Sequence, residues 1–161
     1  MGKDVKPIEE GETLPNVTLM LSNGTAKTLT DYAGAPFVLY FYPKDDTSGC
    51  TREAQDFSAH LAEFDALGTV VLGVSKDPPL KHQKFIDKYA LTVPLATDEN
   101  DDAMKRFGVW VQKSMYGKTY MGIDRSTFLF DAEGKLVRAW RKVKVPGHVV
   151  DVLEAVREIA G

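Results

Sequence analysis

At 161 residues the chain has the length of one ordinary globular domain, and chains of this size bury about 70% of the surface they expose when unfolded. Hydrophobic residues at 43% and charged residues at 27% exclude a disordered or collagen-like protein. Twenty Lys and Arg against 23 Asp and Glu give a net charge of -3, which leaves no global positive field to attract nucleic acid or an anionic membrane surface.

Met1 to Glu10 brings acidic residues before any apolar stretch, which excludes a secretory signal, argues against a transit peptide and predicts a cytoplasmic protein. No apolar run reaches the roughly 20 residues that span a bilayer, so no membrane association is expected. Repeats, low-complexity segments and linkers are absent from the sequence, and residues 1–161 read as a single domain. Residues 1–16 carry charges, Gly11, Pro7 and Pro15 and read as a polar approach, of which 1–7 is the lead-in proper. Val17 to Met20 follows as a first strand, and Ser22-Asn23-Gly24-Thr25 supplies a tight turn into Ala26 to Leu29.

Phe37 to Tyr42 is all apolar or aromatic and ends at Pro43, the signature of a strand buried on both faces. Thr69 to Ser75 is a second strand of this kind. Between them Ala54, Phe57, Leu61, Phe64 and Leu67 recur at helical spacing, predicting one helix over 50–67 with Arg52, Glu53, Asp56, His60, Glu63 and Asp65 on its polar side. A helix over 80–89, a short strand over 93–96 and a short helix over 101–107 come next, and no element is assigned between 107 and 126. Ser126 to Asp131 and Lys135 to Val143 form a hairpin around Gly134, and Val149, Val152, Leu153, Val156 and Ile159 mark a closing amphipathic helix. Parallel strands joined by helices and completed by an antiparallel hairpin specify an α/β protein with a central mixed β-sheet and helices on both faces. A thioredoxin-like fold satisfies that order.

The one cysteine, Cys50, excludes an internal disulfide and a Cys-rich zinc cluster. It stands just past the end of the 37–42 strand, at the start of a helix, where the helix dipole and unpaired N–H groups favour a thiolate. A lone cysteine is also commonly an inert buried side chain, and position by itself leaves both readings open. His60, His82 and His148 show no metal-type pairing and read as solvent-facing helix residues, so no metal site is predicted. The acidic run Asp98 to Asp102 lacks the Gly and terminal Glu of an EF-hand loop and reads as a helix N-terminus, while Tyr40, Phe41, Tyr42 and Trp110 read as core or pocket wall.

The stretch Phe41-Tyr42-Pro43-Lys44-Asp45-Asp46-Thr47-Ser48-Gly49-Cys50-Thr51-Arg52-Glu53-Ala54 resembles the active-site segment of the peroxiredoxins, whose signature is Pro-x-x-x-Thr-x-x-Cys. Its Tyr-Pro-Lys-Asp and Gly-Cys-Thr-x-Glu-Ala parts are similar to the bacterioferritin comigratory protein, or peroxiredoxin Q, subfamily. Val71 to Ser75 and Asp124 to Phe130 look like further family blocks, so the likeness runs from about residue 8 to the C-terminus.

The resemblance implies that Cys50 attacks a peroxide oxygen and becomes a sulfenic acid, with no metal or organic cofactor. Thr47 would hold the peroxide, Arg125 would flank the thiolate, Pro43 would shield it, and the backbone N–H groups of Gly49 and Cys50 would point at the peroxide oxygens. Taken singly, Pro43 also serves as a strand terminator, Thr47 as a helix N-cap and Arg125 as a surface charge. Relatives commonly carry a second cysteine where Gln55 stands, or one on the following helix, and Pro where Ser48 stands. A one-cysteine enzyme is therefore implied, reducing hydrogen peroxide and organic hydroperoxides and recycled by an external thiol such as thioredoxin, glutaredoxin or glutathione. A dithiol oxidoreductase is excluded, since Thr47 stands where Cys-x-x-Cys needs its first cysteine. The competing function is a redox sensor or holdase-like protein with stoichiometric Cys50 oxidation. The subfamily likeness implies a monomer, with a dimer as the alternative.

Overall fold

The computed structural model describes residues 6–160. In chain order these form β1 (Thr18–Leu21), β2 (Ala26–Thr28), a 3₁₀ turn (Leu29–Tyr32), β3 (Phe37–Phe41), α1 (Ser48–Ala59), α2 (Leu61–Ala66), β4 (Val70–Ser75) and α3 (Pro79–Tyr89). They continue with β5 (Leu95–Thr97), α4 (Asp102–Arg106), β6 (Trp110–Met115), β7 (Lys118–Ile123), β8 (Ser126–Phe130), β9 (Leu136–Trp140) and α5 (His148–Ala160). No helix of the described residues is long and apolar enough to cross a membrane.

Seven strands make one mixed sheet in the order β2-β1-β5-β4-β3-β8-β9. Strand β3 runs parallel to β4, from Phe37 opposite Val70 to Phe41 opposite Val74, and antiparallel to β8, from Phe37 opposite Phe130 to Phe41 opposite Ser126. With neighbours on both edges and layers on both faces, all five residues of β3 are buried, which explains its unbroken apolar sequence. Phe37, Leu39 and Phe41 pack with Leu72, Phe128 and Phe130 against Met104 and Phe107. On the opposite face Val38, Tyr40 and Tyr42 meet Phe57 of α1, Phe64 of α2, Phe85 of α3, and Val152 and Val156 of α5. Helices therefore cover both faces unequally, with α1, α2, α3 and α5 on one and α4 with the 3₁₀ turn on the other.

Three sequence expectations are corrected. The helix expected over 50–67 is two helices, because His60 leaves helical geometry at φ -103°, ψ 6°, and its ring Nδ1 lies 2.7 Å from Glu63 Oε1. The unassigned stretch after α4 is a hairpin, β6 to β7, closed by Tyr116-Gly117 with φ of 52° and 77°. Both central residues of such a tight two-residue turn need positive φ, and Tyr in the first place hides the turn from a search for Asn, Asp or Gly. Finally, the approach to β1 is more than polar lead-in, since Ile8 and Leu14 are buried in the core; residues 1–5 of that lead-in lie outside the described residues.

Gly73 on β4 shows how tightly the helical face is packed, because a Cβ there would stand 2.5 Å from the Tyr40 ring, itself fully buried and stacked on Phe57. Gly73→Ala is expected to destabilise the fold by about 1–3 kcal/mol, read as a lower urea midpoint at unchanged slope.

Candidate active site

The loop between β3 and α1 is fastened from beneath by buried polar groups. Tyr42 donates its hydroxyl to Asp45 Oδ1 at 2.5 Å, and Asp45 Oδ2 lies 2.7 Å from His82 Nδ1. His82 Nε2 lies 2.9 Å from the Ala96 carbonyl, which can only accept, so Nε2 carries a proton; the Nδ1 contact requires a further proton between ring and carboxylate. The Asp45 N–H donates to Asp77 Oδ2 at 2.8 Å. At the rim, Lys88 and Tyr89 of α3 donate to Asp46, which is held at φ 60°. His82, expected to face solvent, is fully buried and ties α3 to this loop.

Thr47 occupies the N-cap of α1 in extended geometry, yet its hydroxyl does not cap the helix and donates instead to the Lys44 carbonyl at 2.8 Å. The first i to i-4 bond of α1 runs from Thr51 N–H to the Thr47 carbonyl, so the N–H groups of Ser48, Gly49 and Cys50 belong to the turn that has no intrahelical acceptor. Cys50 lies in that turn and is 2% exposed. Pro43 is half-buried on the preceding loop.

Arg125 enters from the other side. It directly precedes Ser126, the partner of Phe41, so the sheet brings its side chain over the start of α1. Its Nη2 stands 3.4 Å from Cys50 Sγ, and its Nη1 donates to Glu53 Oε1 at 2.7 Å. A Cβ on Gly49 would lie 3.0 Å from the same Nη2, so the absence of a side chain at Gly49 gives the guanidinium room. Burial opposes the Arg125 cation, but Glu53 and Cys50 more than offset it and hold its proton more tightly than usual.

Glu53 is a further residue that the sequence reading misplaced. Expected on the polar side of the helix, it is fully buried, bonded to Arg125 through one oxygen and unpartnered at Oε2. Its distance of three residues from Cys50 is the signal that could have found it, because positions i and i+3 share a helix face. Burial pushes its carboxyl up to about 7 despite the adjacent guanidinium. His148 also departs from its solvent-facing expectation, since it is buried against Thr127 Oγ1 at 2.7 Å and burial lowers its pKa to about 4. His60 alone of the three is partly exposed.

The same arrangement of chain and sheet exists in known proteins. Residues 11–139 match the model of the AhpC/TSA family. The chain is 45% identical to peroxiredoxin Bcp of Bacillus subtilis over 153 residues, covering 95% of this chain and 98% of that protein. The chain belongs to the AhpC/TSA family, in its peroxiredoxin Q branch. Its fold is that of the thioredoxin-like peroxiredoxins. A structure addressing alkyl peroxide reduction by the Xanthomonas campestris bacterioferritin comigratory protein superposes with TM-score 0.88 at 45% identity, covering 97% of this chain and all of that one. The Xylella fastidiosa PrxQ cysteine-to-serine mutant superposes with TM-score 0.90 at 42% identity, covering 97% of this chain and 99% of that one. Peroxiredoxin Q of Xanthomonas campestris has been solved with each of two cysteines separately changed to serine, whereas this peroxiredoxin has Cys50 alone.

The buried carboxyl of Glu53 makes stability depend on pH. Its folded value of about 7 exceeds the ordinary 4.5, so the folded state holds the proton more tightly between the two. The stability it contributes is fully present below 4.5 and is lost as pH rises through about 7. Glu53→Gln cannot ionise, and its stability relative to the parent, measured by urea unfolding, is expected to improve as pH is raised across that window.

Proposed function

We propose that Cys50 is the nucleophile of this thiol-dependent peroxidase, with Arg125, Thr47 and the first-turn N–H groups of α1 stabilising the charge it transfers. The observation that carries this reading is the Arg125 guanidinium, anchored by Glu53 and 3.4 Å from the only sulfur of a cysteine in the chain. The thiolate attacks one peroxide oxygen, the S–O bond forms as the O–O bond breaks, and the departing oxygen takes a proton to leave as water or an alcohol. Hydrogen peroxide and organic hydroperoxides are both accommodated by this chemistry, and the alkyl peroxide activity of the Xanthomonas campestris relative supports the second.

Each neighbour has a distinct task. With its hydroxyl proton given to the Lys44 carbonyl, Thr47 turns lone pairs outward and accepts from the O–H of the peroxide. The Gly49 and Cys50 N–H groups and Arg125 follow the negative charge from sulfur to the departing oxygen, and Pro43 limits water at the thiolate. Magnitudes favour this electrostatic role over simple deprotonation. Converting an ordinary thiol wholly to thiolate at neutral pH gains at most about a few tens of fold, whereas one donor aimed at developing charge is worth about 10²–10³ in rate.

Because every one of these groups comes from a single chain, a monomer suffices. The sulfenic acid, with no second cysteine available, is returned to thiol by an external reductant such as thioredoxin, glutaredoxin or glutathione.

In an assay with peroxide and excess dithiothreitol, the parent is expected to turn over many times per Cys50 and Cys50→Ser not at all; a single stoichiometric oxidation that stalls would instead identify a sensor. Arg125→Ala should lower the peroxide rate constant by about 10²–10³. Raising the pH should not restore it, and full recovery at high pH would refute the electrostatic role.

A further inference from the structure

The peptide group that joins Lys44 to Asp45 is held at both ends. Its N–H donates to Asp77 Oδ2 at 2.8 Å, and its carbonyl accepts the Thr47 hydroxyl at 2.8 Å. No peptide bond among the described residues is cis, so the N–H and C=O of this group point in opposite directions across one rigid plane. Fixing the direction of the N–H therefore fixes the direction of the carbonyl. The place of the group is set separately, by the Asp45 carboxylate, which meets the buried side chains of Tyr42 and His82.

Asp77, two residues past the end of β4, is well fitted to receive that N–H. It is 8% exposed, the Ser75 hydroxyl donates to the same Oδ2 at 2.7 Å, and Lys81 Nζ lies 3.1 Å from Oδ1. Its own carbonyl accepts the Thr97 hydroxyl at 2.5 Å, which anchors it to β5. Burial opposes the charge, but the Asp45 N–H, the Ser75 hydroxyl and the Lys81 ammonium more than offset it and hold the carboxyl below the usual carboxylate range. An ionised carboxylate accepts hydrogen bonds and does not donate them. Were the Lys44–Asp45 peptide turned over, its carbonyl would face that carboxylate with no proton between them, a buried contact of two acceptors.

The sense of this peptide decides what Thr47 offers. A hydroxyl has one proton, and with the carbonyl in its present direction that proton goes to Lys44, leaving lone pairs for the O–H of the peroxide. With the peptide reversed, Thr47 Oγ1 would accept from the N–H and turn its own proton outward as a donor.

We propose that Asp77 is a positioning residue for peroxide reduction, acting through the Lys44–Asp45 peptide to keep Thr47 an acceptor. The inference rests on Thr47 receiving the peroxide O–H, as argued above. The polar contacts of the Asp77 carboxylate go to Asp45, Ser75 and Lys81 and not to Thr47, Cys50 or Arg125, so the peptide is the route.

The test is a double-mutant cycle read against two electrophiles. Hydrogen peroxide uses Thr47, whereas iodoacetamide alkylates the Cys50 thiolate with no peroxide O–H to be received, and so reports thiolate content and access alone. Both rate constants are measured at one pH for the parent, Asp77→Asn, Thr47→Val and the double variant. Asparagine keeps the size of aspartate but both accepts from an N–H and donates to a carbonyl, so it holds the peptide in either sense. Asp77→Asn is expected to lower the peroxide rate constant about tenfold and Thr47→Val about 10²-fold, each with alkylation within about twofold of the parent. The double variant should match Thr47→Val alone, because an acceptor no longer present cannot be turned away. Asp77→Ala, which takes the carboxylate from the N–H altogether, is expected to behave as Asp77→Asn and replaces it should the asparagine variant fail to fold. Effects that multiply to about 10³ in the double variant overturn the inference while leaving Thr47 in its role, as does an Asp77→Asn peroxide rate equal to the parent's. An equal loss of alkylation and of peroxide reaction also overturns it, by making Asp77 a general support of the site. A Thr47→Val peroxide rate equal to the parent's would instead refute the reading of Thr47 itself, and with it any route through this peptide.

Discussion

One guanidinium joins the sheet to the helix that carries the cysteine. Arg125 leaves the start of β8 and meets α1 at Cys50, Gly49 and Glu53, so its position depends on the β3 to β8 register and on a glycine with no Cβ in its path. Glu53 is fully buried, and an ionised carboxylate in that place is tolerable only beside a cation. The contact is thus mutual: Glu53 fixes where Arg125 points, and Arg125 makes an internal acid compatible with the fold.

The remainder of the architecture keeps the loop before α1 from moving relative to that guanidinium. The Tyr42, Asp45 and His82 contacts run from the end of β3 through the loop to α3, and the Ala96 carbonyl extends them to β5. Asp77 ties in the end of β4 through Ser75 Oγ and the Asp45 N–H. Buried hydrogen bonds of this kind are expensive to leave half-made, so they select one arrangement of the loop over many of similar hydrophobic burial. Thr47 and the first turn of α1 inherit their placement from it.

Much of this was legible in the sequence, for identifiable reasons. The strands at 37–41 and 70–75 announce themselves because burial on both faces demands unbroken apolar residues, while Cys50 and Thr47 are singled out by resemblance to a long contiguous signature and Arg125 by a separate block over 124–130. The polar residues that become buried escaped notice. Glu53, His82 and His148 each meet a polar partner distant in sequence, Arg125, Asp45 and Thr127, and one-dimensional periodicity scores them as surface positions. The β6 to β7 hairpin escaped for the opposite reason. Its residues are largely exposed, with Tyr116 96% accessible at the turn, so no burial pattern of period two is written into them.

Burial leaves Glu53 between two charge states. Its carboxyl is pushed up to about 7, so near neutral pH it exchanges between the neutral and the ionised form instead of standing as a fixed anion. The guanidinium beside it faces two groups, Glu53 Oε1 through Nη1 at 2.7 Å and Cys50 Sγ through Nη2 at 3.4 Å. Ionised, Glu53 is the counter-ion of Arg125; neutral, it still accepts the hydrogen bond that aims Nη2 at the sulfur. The placement of the guanidinium over α1 therefore does not depend on one charge state of the acid.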